Sequence, residues 1–185
     1  NVAVGVNSGR LITSGYQNTM LGAYSGDSIT TGYMNVAVGT DSLAAVTTGY
    51  ESVAIGHDSL KVTTANQNVA VGAYAGTATS SGTRNTFIGA SSGRANSTAS
   101  YNTAVGYEAG LFITTGTRNI LIGGLSGDAL TNADYNVAVG NNTLSTDTLG
   151  SKSTAIGYEA LMRNTSSQNN AIGYRAMDAN TTGGL

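Results

Sequence analysis

The sequence predicts an all-β fold, a parallel β-solenoid (β-roll) of eleven coils of 16–17 residues. Three observations predict it. The pattern Asn-x-Ala-x-Gly starts at positions 1, 18, 35, 52, 68, 85, 102, 119, 136, 153 and 169, with Ser52 and Ser153 in place of Asn. The fifth position of every unit is glycine: Gly5, Gly22, Gly39, Gly56, Gly72, Gly89, Gly106, Gly123, Gly140, Gly157 and Gly173. The fourth is always aliphatic, from Val4 and Leu21 to Ile156 and Ile172. A 17-residue period is too short for helical-hairpin repeats, which need more than about thirty residues, and the leucine ladder of leucine-rich repeats is missing.

Each unit divides into elements in order. Asn-x-Ala-x-Gly reads as a short strand, and the fifth to seventh positions as a turn whose glycine supplies a conformation or a close approach that other residues resist. A second short segment follows, and a Thr-Thr-Gly turn closes the coil. Nine units have 17 residues and two, starting at Ser52 and Ser153, have 16. The missing residue falls just before or within the closing turn, where a deletion costs least. Coils stacked at about 4.8 Å make a rod on the order of 50 Å long. Residues at one position then form ladders, and the first position becomes an amide ladder.

Composition narrows the classes. The chain has 26 Gly in 185 residues and only 10% charged residues, against about 25% in ordinary domains. With no Cys, a disulfide scaffold, a cysteine-ligated metal and a cysteine nucleophile are excluded. With 40% apolar residues and sparse charge, disorder is excluded too. A net charge of −2 argues against a nucleic-acid partner, and the apolar runs are too short for membrane insertion. Residues 1–185 read as a single repeat domain. The first and last units match the internal consensus, so further coils, another domain or another copy of the chain are expected beyond both ends.

The strand positions are apolar on both faces: the fourth is aliphatic, and the third is Ala, Met20, Phe87 or Leu121. A strand with one wet face alternates apolar with polar, so two apolar faces imply two buried faces. One coil buries only one of them, and the other is expected to meet another copy of the chain. The sequence leaves open which face is interior. A compensating pattern supports the packing. Where the third position is large (Met20, Phe87, Leu121), the ninth is glycine (Gly26, Gly93, Gly127). Where the ninth is Leu or Met, the third is Ala. The two positions therefore fill one volume. Arg10 and Asp27 share the tenth position on adjacent coils and are expected to pair.

Ser52-Val53-Ala54-Ile55-Gly56, Ser153-Thr154-Ala155-Ile156-Gly157 and the Asn-x-Ala-Val-Gly versions resemble the head repeats of trimeric autotransporter adhesins. Asn102-Thr-Ala-Val-Gly-Tyr-Glu-Ala-Gly110, followed by Thr114-Thr-Gly116 and Asn119, is similar to repeats of bacteriophage tail fibres. The resemblance covers all eleven units. It implies a left-handed parallel β-roll, intertwined or packed as a homotrimer, located on a virion tail fibre or a cell surface, that attaches to a host.

Chemistry is sparse. His57, the one histidine, reads as an exposed turn residue without a nucleophile elbow. Glu108 and Glu159 share the seventh position three coils apart, about 14 Å, too far for a carboxylate pair. Asp41 and Asp58 stack on adjacent coils and could hold a cation; two solvated carboxylates is the plainer reading. No enzyme activity, cofactor or metal is expected. Tyr16, Tyr33 and Tyr50 fall at the sixteenth position of successive coils, and Tyr158 and Tyr174 at the sixth of the last two. They are the candidate ligand contacts, a platform for cell-surface glycans, or simply stacked rings that stabilise the coil. The hydroxyl at the thirteenth position of every unit reads as satisfying turn backbone. The reading for function is a trimeric structural and adhesive fibre segment. The alternatives are an ice-binding or other surface-ordering solenoid, and a filament subunit that polymerises end to end.

Overall fold

Each Asn-x-Ala-x-Gly forms a strand of three residues before its glycine ends it. The computed structural model describes residues 1–181, and within them lie eleven strands: β1 Val2–Val4, β2 Thr19–Leu21, β3 Val36–Val38, β4 Val53–Ile55, β5 Val69–Val71, β6 Thr86–Ile88, β7 Thr103–Val105, β8 Ile120–Ile122, β9 Val137–Val139, β10 Thr154–Ile156 and β11 Asn170–Ile172. They form one parallel sheet in sequence order, so the chain is a β-solenoid with one strand per coil. The register pairs like positions throughout, as in Ala3 with Met20, and it holds across both short units, where Val53 meets Val69 and Thr154 meets Asn170. The missing residue is absorbed in the closing turn. In a full-length coil the backbone N–H groups of Thr13, Ser14 and Gly15 all converge on the Thr30 carbonyl, whereas in the first short coil Thr64 alone donates to Ser80. The last unit's closing turn beyond Thr181 lies outside the described residues.

Strand-ending glycines have φ between 123° and 139°. A Cβ on any of them from Gly5 to Gly157 would sit 2.2–2.7 Å from the backbone of the glycine one coil on. Both conformation and space therefore demand glycine. The second segment of the coil forms no strand, yet it too is bonded coil to coil: Gly9 N–H donates to Ser25, Leu11 to Asp27 and Thr13 to Thr30. The seventh and seventeenth positions lie in the left-handed backbone region without being glycine, as at Tyr24 (φ 57°) and Glu51 (φ 54°). Their N–H groups point back, to Val6 and Tyr33 of the preceding coil. Hydrogen bonds thus run both ways across each seam, and that holds a backbone an isolated chain would disfavour by about 1–2 kcal/mol per residue.

The interior question is decided by the third position. Met20, Phe87, Leu121 and the alanines Ala37, Ala54, Ala70, Ala104, Ala138 and Ala155 are fully buried. They pack with Ile29, Val46, Ile113 and Leu130 of the twelfth position and with Leu43, Leu60, Leu144 and Leu161 of the ninth. The compensation seen in the sequence holds and extends one coil further. Phe87 lies between Gly93 of its own coil and Gly76 of the coil before; a Cβ would meet its ring at 2.3 Å from the first and 2.8 Å from the second. Leu121 lies in the same way between Gly127 and Gly110, and Met20 between Gly26 and Gly9. Each glycine at the ninth position thus faces a large residue on its own coil or the next.

Buried asparagines close each coil. Asn85 Nδ2 donates to the Ala99 carbonyl at 2.8 Å, and its Oδ1 accepts the Asn102 backbone N–H at 3.0 Å. Asn18, Asn35, Asn68, Asn102, Asn119 and Asn136 bridge their coils in the same way, each to the carbonyl fourteen residues on. Serine replaces asparagine in just the two coils whose closing turn is one residue shorter. There Ser52 Oγ still accepts Asn68 N–H of the next coil at 3.3 Å, and in place of the bond across its own coil it donates to the nearby Tyr50 carbonyl at 3.4 Å. The twelfth column turns polar toward its end: buried Asp147 accepts from Leu149 N–H (3.1 Å), Gly150 N–H (2.7 Å) and Asn164 Nδ2 (2.7 Å).

Candidate functional surface

With the third position inward, the second and fourth point outward. Val2 is 59% exposed, Val4 56%, Ile122 40% and Ile172 74%, and Leu21, Ile55, Ile88, Ile120 and Ile156 are exposed as well. Every strand contributes two outward residues, almost all Val, Ile, Leu or Thr. The result is an aliphatic stripe about 10 Å wide and 50 Å long, from strand rise and spacing. At roughly 500 Å², including the threonines of its second-position column, it is as large as the largest apolar patch of a typical monomer.

The candidate tyrosines occupy two separate columns. Tyr16, Tyr33 and Tyr50 stack face to face with centroids 5.0 Å apart and planes within 4°. Tyr158 and Tyr174 stack at 5.4 Å near the other end. Each internal ring face is therefore covered by the next ring, and edges and hydroxyls are what the columns present. Sandwiching removes water from Tyr33 and, with the charges of Tyr16, Tyr50 and Glu51, raises its hydroxyl above the ordinary tyrosine value.

The polar candidates resolve into small pairs. Asp41 and Asp58 lie on adjacent coils as expected, and the cation between them is Lys61, with Nζ 3.3 Å and 3.0 Å from their carboxylates. The hydrogen bond to Asp58 is the main reason the Lys61 ammonium lies above its usual range. His57 is exposed, 3.8 Å from Asp58 and edge-on to Tyr74. Glu159 pairs with Arg175 at 3.2 Å, while the charge of Glu108 acts on Asp128 and its carboxylate raises the Tyr107 hydroxyl above the ordinary tyrosine value. Arg10 and Asp27 pair across one coil as predicted, with Nε–Oδ1 2.8 Å and Nη2–Oδ2 3.1 Å. Asp128 was not anticipated. Burial, opposed by backbone hydrogen bonds and reinforced by Glu108, pushes its carboxyl up to about 6, and its Oδ1 is buried without a hydrogen-bond partner. The thirteenth-position hydroxyls satisfy backbone as expected: Thr13, Thr30, Thr114 and Thr131 each donate to the carbonyl of the residue one coil on.

A column at the seventeenth position also escaped the sequence reading. Arg84, Tyr101, Arg118, Tyr135 and Lys152 succeed one another on five coils and are all exposed. Arg84 lies 5.4 Å from the Tyr101 centroid, and Arg118 5.3 Å from both Tyr101 and Tyr135. Unit-by-unit alignment contains this signal, but only stacking coils shows that the residues touch.

Among the described residues no group of three metal-ligating side chains converges, and no pocket opens. No helix among them is long and apolar enough to cross a membrane. No protein-family model, curated protein or solved structure matches the chain.

Proposed function

We propose that the chain is a structural and adhesive fibre segment, a homotrimeric β-solenoid carried on a virion tail fibre or a cell surface that attaches to a host. The observation that supports it is the outward aliphatic stripe. A strip of Val, Ile and Leu along the whole solenoid is stabilised by removal from water at roughly 25 cal/mol per Å². A second and third copy present the same strip in the same register, so three rods meet along their lengths. Sedimentation equilibrium at micromolar concentration tests the reading, with a trimer expected. Val71→Lys/Val105→Lys, which places charges on the stripe's central coils, is expected to dissociate it. A stable, soluble monomer of the unaltered chain overturns the proposal.

A further inference from the structure

Eight cations are spread over this chain, and their partners sort them. Arg10, Lys61 and Arg175 are neutralised by carboxylates within 3.3 Å. Arg84, Arg94, Arg118, Lys152 and Arg163 make no ion pair among the described residues, and of these Arg84, Arg118 and Lys152 stand in the seventeenth column on alternate coils. The tyrosines between them are covered by guanidinium groups: Tyr101 by Arg84 and Arg118, Tyr135 by Arg118. Side-chain hydrogen bonds hold the stack. Arg84 Nε donates to Gln67 Oε1 at 3.0 Å and its Nη1 to the Tyr101 hydroxyl; Arg118 Nη1 donates to the Tyr135 hydroxyl at 3.2 Å. A guanidinium has five N–H donors, so each arginine keeps several directed at solvent from a fixed plane.

We infer that this column is a binding edge for an extended acidic glycan that carries one carboxylate per disaccharide. The inference rests on the adhesive reading above and names the chemistry of its ligand. The cations recur every second coil, about 10 Å if each coil takes the 5.0 Å step of the stacked tyrosines. That spacing suits a polymer whose charge is sparse. A nucleic acid carries a charge every ~3.4 Å along each strand and needs open aromatic faces for its bases. Here both faces of Tyr101 are taken. Guanidinium edges offer forked, charge-assisted hydrogen bonds to carboxylates, and the tyrosine hydroxyls between them meet sugar hydroxyls. The column precedes the strand by two residues, so it borders the aliphatic stripe, where an interface keeps its polar rim.

The test uses the purified chain on immobilised hyaluronan, with neutral dextran and poly(dT) as alternatives. Retention on hyaluronan at low salt is expected, with none on dextran. Arg84→Gln/Arg118→Gln/Lys152→Gln is expected to weaken it by at least about tenfold, since each exposed charged contact adds a factor of a few. Arg94→Gln/Arg163→Gln, cations outside the column, is expected to leave it unchanged. On the unaltered chain, hyaluronan is expected to protect Arg84 and Arg118, but not Arg94 and Arg163, from phenylglyoxal, read by mass spectrometry; this needs no variant to fold. No retention, equal retention by the column variant, absence of that protection, or preferential capture by poly(dT) each overturns the inference. Oligomeric state is measured on the same samples. A trimer that ignores hyaluronan overturns this inference alone, while a monomer overturns the fibre reading.

Discussion

Moving bulk from the third position to the ninth within one coil tests whether the two share a single volume. A Cβ on Gly93 would lie 2.3 Å from both Cδ1 and Cε1 of Phe87 and 2.7 Å from Cζ, more than an ångström inside contact distance. Gly93→Leu alone therefore overpacks the core, at about 1–3 kcal/mol, with about 1 kcal/mol more for a side chain in the left-handed region. Phe87→Ala alone leaves a cavity at a fully buried site, costing about 3–5 kcal/mol. Combined, Phe87→Ala/Gly93→Leu recreates the pairs Ala37/Leu43 and Ala54/Leu60, whose leucines already sit at φ 50° and 46°. Because the three atoms nearest the added Cβ all belong to Phe87, the double variant is expected to lose only about 1–2 kcal/mol, less than Phe87→Ala alone, where independent sites would add. Thermal unfolding followed by circular dichroism reads this out, at about 2–4 °C per kcal/mol for a chain this long. A double variant less stable than Phe87→Ala would refute the shared volume.

Further expectations follow from single groups. Asn85→Ala strands the Asn102 N–H and leaves the Ala99 carbonyl only the longer 3.3 Å bond from Asn96 Nδ2, and is expected to cost about 1–3 kcal/mol in urea unfolding. Asn85→Ser is expected to cost less, because a serine at this position still accepts the next coil's N–H, as Ser52 does. Asp147→Ala leaves Leu149 N–H and Gly150 N–H unpaired and removes one of the two bonds of Asn164 Nδ2, which keeps the Ser166 carbonyl at 2.6 Å, and is expected to cost roughly 3 kcal/mol in the same assay. Asp128 runs the other way. Its folded pKa of about 6 exceeds the unfolded 3.8, so its contribution is fully present below 3.8 and is lost as pH rises through 6. Two pKa units amount to about 3 kcal/mol, and partial exposure screens this to about 1 kcal/mol. Asp128→Asn is accordingly expected to raise the melting temperature by about 2–4 °C at pH 8 and to leave it unchanged at pH 3.5. Equal gains at both pH values would show that titration is not the cause.

The sequence by itself determined the period, the strand and the architecture, because eleven copies report on one coil. Gly5 and its successors, the aliphatic fourth position and the exchange between Phe87 and Gly93 are consequences of packing that recur with the repeat. Even the Arg10–Asp27 pair was legible, since equal positions on neighbouring coils must stack. Only the tertiary structure decided which strand face is interior, because Val4 and Ala3 are both apolar and hydropathy does not separate them. Buried Asn85 and Ser92 on the same coil as Phe87 show where the inside lies. Left-handed backbone at Tyr24 and Glu51 was equally silent, since hydrogen bonds to the preceding coil, and not the residue type, hold it. The seventeenth column was open to the same reasoning as Arg10–Asp27, since Arg84, Tyr101 and Arg118 share one position on successive coils. What only the tertiary structure decided is that each guanidinium lies over a ring.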